Sequence, residues 1–280
     1  MFTDQTISFI GSGMMGEAII RGLLAQDGMI KAQQIIATDV REDRLAELEA
    51  RYGIGVSTSN AEAADEAQVV VLSIKPQTIP KVMPQIRGQL RRSDLLLSII
   101  AGTTIKTLSD GAAHGAIVRC MPNTPAQIGQ GITVWTSTQE VNESQKEQAQ
   151  AIVRSLGKEI YVHDEHYLDM TTAVSGSGPA YVFLMMEAMI DAAVHLGFSR
   201  PVATQLVYQT MRGSVEYAEQ SGQHVAELRN QVTSPGGTTA EALYHMEKEG
   251  LRTAIARGIW GAYERAVALG GADKRKKLDA

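Results

Sequence analysis

The sequence predicts two domains of different class: an α/β domain with a doubly wound parallel sheet, followed by an all-helical domain. Up to His163, short apolar runs alternate with helical patterns, whereas only helical patterns follow it. The length of 280 residues suits roughly two domains of ordinary size. We therefore place the domain boundary near residue 163, which gives domains of residues 1–163 and 164–280.

The composition is that of a globular protein, with 44% hydrophobic and 20% charged residues. The net charge of −5 argues against a nucleic-acid or membrane-surface partner. Cys120 is the single cysteine, which excludes an intrachain disulfide and suits a reducing compartment. Neither a signal peptide nor a membrane-spanning apolar run is expected, so the predicted location is the cytoplasm. We interpret the basic run at residues 274–277 as a solvated tail.

Seven apolar runs predict the strands of the first domain. They lie at residues 6–11, 34–39, 68–74, 94–100, 116–121, 132–136 and 159–162. Helical patterns separate several of them, at residues 17–27, 42–52 and 142–155 and in a segment that opens at Pro76. Such runs are typical of a parallel sheet that helices cover on both faces, and right-handed crossovers then make it doubly wound.

Five helices are predicted for the second domain, at residues 179–197, 201–220, 224–232, 239–249 and 251–269. Proline stands where the first two begin. The first is apolar around most of its circumference, and its polar residues Glu187, Asp191 and His195 form one narrow stripe. A helix of this kind must be buried on several sides, which predicts a subunit interface.

A glycine-rich turn connects the first predicted strand to the first predicted helix. The spacing G-x-G-x-x-G between a strand and a helix is the fingerprint of a Rossmann-type dinucleotide-binding domain. The first glycine permits the tight turn, the second admits the pyrophosphate, and the third allows close packing of helix on strand. The six predicted cofactor-binding residues of this turn are Gly11, Ser12, Gly13, Met14, Met15 and Gly16.

Asp39 closes the second predicted strand, where such domains contact the adenosine ribose. A carboxylate accepts hydrogen bonds from a 2′-hydroxyl and repels a 2′-phosphate, which favours NADH. Arg41 and Arg44 follow directly and could instead hold the 2′-phosphate of NADPH. The sequence therefore leaves both NADH and NADPH as possible cofactors, and Asp39 favours NADH.

Further motifs follow in a fixed order along the chain. They are SIKPQ at 73–77, IAG at 100–102, RCMPNTP at 119–125, SGSGPAY at 175–181 and VTSPGGTT at 232–239. With the glycine fingerprint, this set resembles the pyrroline-5-carboxylate reductase family over about residues 6 to 270 of the chain. The last motif is the most specific of them.

The resemblance implies reduction of the cyclic imine Δ1-pyrroline-5-carboxylate to L-proline with NADPH or NADH, the last step of proline biosynthesis. It also implies homodimers through interleaved C-terminal helices, often assembled into decamers. Family members that prefer NADPH often carry serine where this chain has Asp39. The remaining cofactor-binding positions that the resemblance implies are Asn60, Ser73, Lys75, Pro76, Ala101, Gly102 and Asn123.

The second half of the last motif, residues 234–239, precedes a helical pattern. Its glycines let backbone N–H groups point at an anion, and a helix N-terminus favours negative charge. This is a predicted carboxylate site, formed by Ser234, Gly236, Gly237, Thr238 and Thr239. Thr238 or Thr239 also suits the helix N-cap. The resemblance places the Thr239 hydroxyl beside the imine nitrogen, which makes Thr239 the candidate catalytic residue.

Residues 175–179 are predicted to form a second loop before a helix, near the nicotinamide. The cluster of His163, Asp164, Glu165, His166 and Asp169 lacks the spacing of a metal site and is predicted to be a solvated turn. We therefore predict no metal.

Three alternative functions differ from the leading one. A related cyclic imine, such as the six-membered homologue, could be the substrate, or the chain could sense nucleotides without catalysis. A β-hydroxyacid dehydrogenase needs a lysine on the first long helix of the second domain, and residues 179–197 contain none.

Overall fold

The computed structural model describes residues 2–26 and 28–270, so the predicted basic tail lies outside the described residues. The chain divides into two compact units. One, here called the sheet unit, comprises Met1–Ser177 together with Gly261–Ala280. The other, the helical unit, comprises Gly178–Trp260.

The sheet unit contains one sheet of eight strands in the order β3-β2-β1-β4-β5-β6-β7-β8. The strands are β1 (Ile7–Ile10), β2 (Ile35–Thr38), β3 (Gly55–Ser57), β4 (Val69–Leu72), β5 (Leu95–Ser98), β6 (Ile117–Met121), β7 (Gly131–Ser137) and β8 (Gly157–Tyr161). The first six are parallel to one another. This is the doubly wound order, whose direction reverses between β1 and β4. The predicted fold class is confirmed.

Seven α-helices follow or connect these strands. They are α1 (Met14–Leu24), α2 (Glu42–Tyr52), α3 (Asn60–Glu66), α4 (Ile79–Ile86), α5 (Ile105–Ala112), α6 (Glu143–Arg154) and α7 (His166–Thr171). The first begins three residues earlier than its apolar pattern indicated, because Met14 and Met15 continue directly from the glycine turn.

Helices cover both faces of the central strands. Along β1, Ile7 and Phe9 belong to one buried cluster and Ile10 to the other. Along β4, the side chains alternate between the same two clusters, and all four residues are fully buried. Burial on both faces explains why these strands are continuous apolar runs rather than alternating ones.

The expectation of a wholly parallel sheet is wrong at its far edge. Strand β7 runs antiparallel to β6, and β8 pairs parallel with β7. The 3-10 turn Thr124–Ile128 joins β6 to β7 and leaves no room for a helical crossover. A short connection of this kind reverses the chain, whereas a parallel return needs a dozen or more residues.

The helical unit contains α8 (Gly178–His195), α9 (Arg200–Ser221), α10 (Val225–Gln231), α11 (Thr238–Lys248) and the first part of α12 (Leu251–Leu269). Its buried apolar cluster consists of Ile190, Ala203 and Val207. By contrast, Phe183 and Leu184 on α8 are 61% and 66% exposed. The helical stretch His166–His195 has the length and composition to cross a membrane, with a mean hydropathy of 1.2. Core helices of proteins that do not span a membrane can have the same length and composition.

The segment predicted as a loop before the Pro179 helix is helical instead. A π-helical turn, Thr172–Gly176, follows α7 and leads into α8 after Ser177. A Cβ atom at Gly176 would lie 2.7 Å from the Met121 Cε atom, the end of a flexible side chain, so the backbone of this turn lies close to the end of β6. Of the two glycines in this segment, Gly176 lies against Met121, whereas a Cβ at Gly178 would meet no atom within 4 Å.

Candidate active site

The glycine turn lies at the carboxyl end of β1, at the point where the strand order reverses. Gly11 has a φ of +88°, a backbone conformation that residues with a side chain rarely adopt. A Cβ at Gly16 would lie 2.9 Å from the Ser73 Oγ atom and 3.0 Å from the Gly11 carbonyl oxygen, so α1 packs closely on the turn. A Cβ at Gly13 would meet no atom within 4 Å, which leaves this position open to a ligand.

Ser12 is buried, and the second strand-helix pair holds it on several sides. Its backbone N–H donates to the Asp39 Oδ2 atom at 3.3 Å, and its hydroxyl donates to the Thr38 carbonyl at 2.8 Å. Its own carbonyl accepts from the Arg44 Nε atom at 3.0 Å. The Asp39 carboxylate is therefore directed at the glycine turn, beside the position where a ribose is expected.

The two arginines that follow Asp39 have different surroundings. Arg41 is 57% exposed, and its Nε atom lies 3.4 Å from the Asp39 Oδ1 atom. Arg44 is 11% exposed and forms ion pairs with Glu17 and Glu47. Of the two candidates for a 2′-phosphate contact, only Arg41 is open to solvent.

Other predicted cofactor residues lie at the ends of β3 and β4. The Ser73 hydroxyl donates to the Gly11 carbonyl and so supports the glycine turn. The Asn60 Oδ1 atom accepts from the Thr38 hydroxyl at 2.6 Å, which ties α3 to the end of β2. Lys75 is exposed and precedes the 3-10 turn Pro76–Thr78. These strand ends share the edge of the sheet where such folds bind nucleotides.

The last three predicted cofactor positions lie farther along the same edge. Gly102 is buried with a φ of +68°, and a Cβ there would lie 2.6 Å from the Leu269 Cβ atom. Its neighbour Ala101 is half-buried. The Asn123 Oδ1 atom accepts from the Ile132 N–H at 3.0 Å, so this side chain fixes the start of β7. Contacts within the protein explain Gly102 and Asn123, and any cofactor contact there remains a prediction.

Within the helical unit, the predicted substrate loop ends at the N-terminus of α11. Gly236 has a φ of +69°, and the Gly237 N–H donates to the Ser234 carbonyl at 3.1 Å in a tight turn. The N-cap is Gly237, so the expectation that Thr238 or Thr239 caps the helix is wrong. Both threonines lie in the first turn of α11, whose leading N–H groups lack helical acceptors and favour an anion.

Two of the residues predicted to form a solvated turn after His163, Glu165 and Asp169, form ion pairs with a buried arginine. Arg119 on β6 is almost fully buried, and its Nη atoms donate to Glu165 at 2.7 Å and to Asp169 at 2.9 Å. Glu165 also accepts from the Ile105 N–H at the start of α5. Sequence reasoning missed this cluster because its partners are 46 and 50 positions apart, with no local pattern.

Two further side chains, Cys120 and Glu159, have shifted pKa values. Burial raises the pKa of the Cys120 thiol far above its ordinary value, so this cysteine stays protonated. Burial also raises the pKa of Glu159, but hydrogen bonds from Trp135, Gln150 and Arg154 outweigh it and lower the pKa overall. Neither group lies among the predicted site residues.

The strand order, the glycine turn at the reversal point and the carboxylate at the end of β2 define a class. They are the features of a dinucleotide-dependent oxidoreductase, here followed by a helical second unit. Comparison with known proteins narrows the class. A family model described as pyrroline-5-carboxylate reductase dimerisation matches residues 165–269. A model described as NADP oxidoreductase, coenzyme F420-dependent, matches residues 6–102.

Individual relatives match nearly the whole chain. The pyrroline-5-carboxylate reductase of Synechocystis sp. is 38% identical over 264 residues, covering 94% of this chain and 98% of the relative. That of Pseudomonas aeruginosa is 40% identical, with 94% and 96% covered. The crystal structure of Plasmodium falciparum pyrroline carboxylate reductase with NADP bound has a TM-score of 0.87 at 34% identity, with 95% and 98% covered. The chain belongs to the pyrroline-5-carboxylate reductase family.

Proposed function

We propose that this protein reduces Δ1-pyrroline-5-carboxylate to L-proline by hydride transfer from NAD(P)H, the last step of proline biosynthesis. The observation that carries the proposal is the relationship to reductases of this name over 94% of the chain. The family models that match residues 6–102 and 165–269 include the glycine turn and the Ser234–Thr239 loop, respectively. The activity is therefore that of an oxidoreductase acting on a C=N bond.

The strand ends of the sheet unit suit a nicotinamide dinucleotide, which supplies the hydride when bound. The open position at Gly13 and the leading N–H groups of α1 suit the pyrophosphate. Asp39 lies where it would accept hydrogen bonds from the adenosine ribose. Met14, Met15, Asn60, Ser73, Lys75, Pro76, Ala101, Gly102 and Asn123 are the further proposed contacts.

The substrate carboxylate is assigned to the Ser234–Thr239 loop. Gly236 and Gly237 leave the backbone accessible, and the N-terminus of α11 stabilises negative charge. Thr239 is assigned to hydrogen-bond the ring nitrogen. A threonine hydroxyl is a poor acid, so its role is to orient the imine, and the proton on nitrogen comes from water or from a substrate bound as the iminium.

NADH is the preferred cofactor in this proposal. The Asp39 carboxylate, held by the Ser12 N–H, places negative charge where a 2′-phosphate would lie. The family includes a member whose structure holds NADP, so the preference rests on this residue and not on the fold.

The protein is assigned to a homo-oligomer, since the family model over residues 165–269 describes dimerisation. We propose that the homodimer forms through the C-terminal helices, where the apolar side chains of α8 are exposed in the single chain. Further assembly into a decamer and a cytoplasmic location complete the proposal.

The test is to mix purified protein with pyrroline-5-carboxylate and to follow the absorbance of NADH and NADPH in parallel. Oxidation with formation of proline is expected, faster with NADH. Cofactor binding without oxidation would redirect the search to the six-membered imine. Failure with both imines would leave a nucleotide sensor as the function.

A further inference from the structure

The glycine turn is fixed mainly by its neighbours in the second strand-helix pair. Both ends of the Ser12 residue are held there: its N–H donates to Asp39, and its C=O accepts from the Arg44 guanidinium. A phosphate-binding turn acts through the direction of its backbone N–H groups. The bond from Arg44 to the Ser12 C=O fixes the peptide group between Ser12 and Gly13, and with it the direction of the Gly13 N–H.

Arg44 is equipped for this task and poorly equipped to bind a ligand. Its Nε atom donates to the Ser12 carbonyl, one Nη atom donates to Glu47 at 2.6 Å, and the other donates to Glu17. All three nitrogens thus have acceptors within the protein, and the side chain is 11% exposed. These bonds use three of the five guanidinium N–H donors, so a 2′-phosphate would compete with the two carboxylates for a largely buried side chain.

Glu17 explains why a cation is needed here. It lies in the first turn of α1, next to the expected pyrophosphate, where an unpaired carboxylate would repel the ligand. Arg44, Arg51 and Tyr52 all donate hydrogen bonds to it. Burial raises the pKa of Glu17, but the bonds from Arg44 and Tyr52 outweigh it, so the pKa is lowered and the carboxylate stays ionised.

Arg41 has the opposite character. It is more than half exposed, and its contact to Asp39 through Nε is long at 3.4 Å. Its guanidinium therefore moves at small cost, since an exposed ion pair contributes little. It lies beside the carboxylate that is expected to meet the ribose.

We propose that Arg44 is a positioning residue that holds the glycine turn in its phosphate-binding conformation, whereas Arg41 is the residue that contacts a 2′-phosphate. The two arginines thus act on different parts of the cofactor. Arg44 contributes to the binding of both NADH and NADPH, whereas Arg41 contributes to the binding of NADPH only. This inference rests on the nucleotide-binding part of the proposed function.

The test measures cofactor binding directly, by calorimetry without imine, for the full-length protein and two matched variants. Arg44→Met should weaken the binding of NADH and of NADPH by a similar factor of about tenfold, because the pyrophosphate site that they share is less rigidly held. Arg41→Met should weaken NADPH alone, also by about tenfold, and leave NADH within about twofold. The two variants remove the same group from the same short segment.

A third variant guards against a folding defect. Arg44→Lys keeps the positive charge beside Glu17 but lacks the forked donors that reach Ser12 and both carboxylates at once. It should give the circular dichroism spectrum of the folded wild type and still weaken the binding of both cofactors. Loss of NADPH binding alone in either Arg44 variant would overturn the proposal, as would unchanged binding of both. If the wild-type protein binds neither cofactor, the proposed function itself fails.

Discussion

The two compact units bury their apolar side chains to very different degrees. In the sheet unit, buried clusters fill both faces of the sheet, and central strands such as β4 are fully buried. In the helical unit, the buried cluster is limited to Ile190, Ala203 and Val207. The sheet unit therefore has a complete core within one chain, whereas the helical unit leaves apolar side chains for another surface to cover.

The match to a dimerisation model over residues 165–269 agrees with this difference. A helix that must pack against a second copy keeps its outward face apolar, as the interiors of obligate interfaces are. If the proposed homodimer buries α8, the stability of the sheet unit depends on its own core and that of the helical unit on protein concentration.

The largest expected effect comes from placing a charge on the exposed face of α8. Leu184→Asp should raise the dimer dissociation constant at least about 100-fold, because an unpaired carboxylate would be buried in the interface. Sedimentation equilibrium over a range of concentrations measures this. Ile128→Asp, at an exposed apolar residue of the sheet unit, is the control and should leave the oligomer intact. Equal effects of both changes would contradict a dimer interface on α8.

A second prediction separates the tasks of the two units. Thr239→Ala should lower kcat with the imine by between about 10-fold and 100-fold, since the hydrogen bond that orients the ring nitrogen is lost. Cofactor affinity should stay within about twofold. Steady-state kinetics and calorimetry measure the two quantities.

Thr204→Ala is the control for that change, because this hydroxyl bonds to the Arg200 carbonyl within α9. An equal loss of turnover and of cofactor affinity in Thr239→Ala would exclude the assigned role.

The third prediction concerns the sheet unit alone. Asp39→Ser should shift the ratio of kcat/KM for NADH and NADPH toward NADPH by about fivefold or more, because the repulsion of a 2′-phosphate is removed. The KM for the imine should not change. Asp43→Ser, at an exposed carboxylate of the same helix start, should leave the ratio unaltered. An unchanged ratio in Asp39→Ser would show that this carboxylate does not reach the ribose.

The smallest expected effect is the response of the sheet unit to acid. The pKa of Glu159 is lowered in the folded protein, so its contribution is present at neutral pH and is lost as the pH falls through the folded pKa. Glu159→Gln should cost about 1 kcal/mol at neutral pH and less in acid. Urea unfolding of the wild type and the variant at pH 7 and below pH 4 tests this, and a difference that grows in acid would contradict it.

The sheet unit was predictable where the signal is local. Strands such as β4 are buried on both faces and so are continuous apolar runs, and the glycine turn combines a fixed spacing with a strand and a helix. The reversal of β7 was missed because the side-chain pattern carries no strand direction, and the short connection after β6 is the signal that indicates it. The Arg119 cluster also escaped prediction, since its partners meet only in the folded chain.

The candidate site was predictable to a similar extent. Motif order indicated the family and the residues to consider. It did not distinguish Arg41 from Arg44, because their difference lies in Glu17, a residue from another helix. Nor did it reveal that the 175–179 segment is helical, because glycine and proline in a short motif usually indicate a loop.

The burial of Cys120 has a practical consequence for experiments on this protein. The chain has one cysteine, and its thiol is enclosed by the core and stays protonated. Maleimide dyes react with exposed thiolates, so the native protein offers them no target. A single cysteine introduced on the surface of either unit would then carry the only label, without removal of the native residue. Fluorescent or spin probes can thus be attached one site at a time to report on assembly and on cofactor binding.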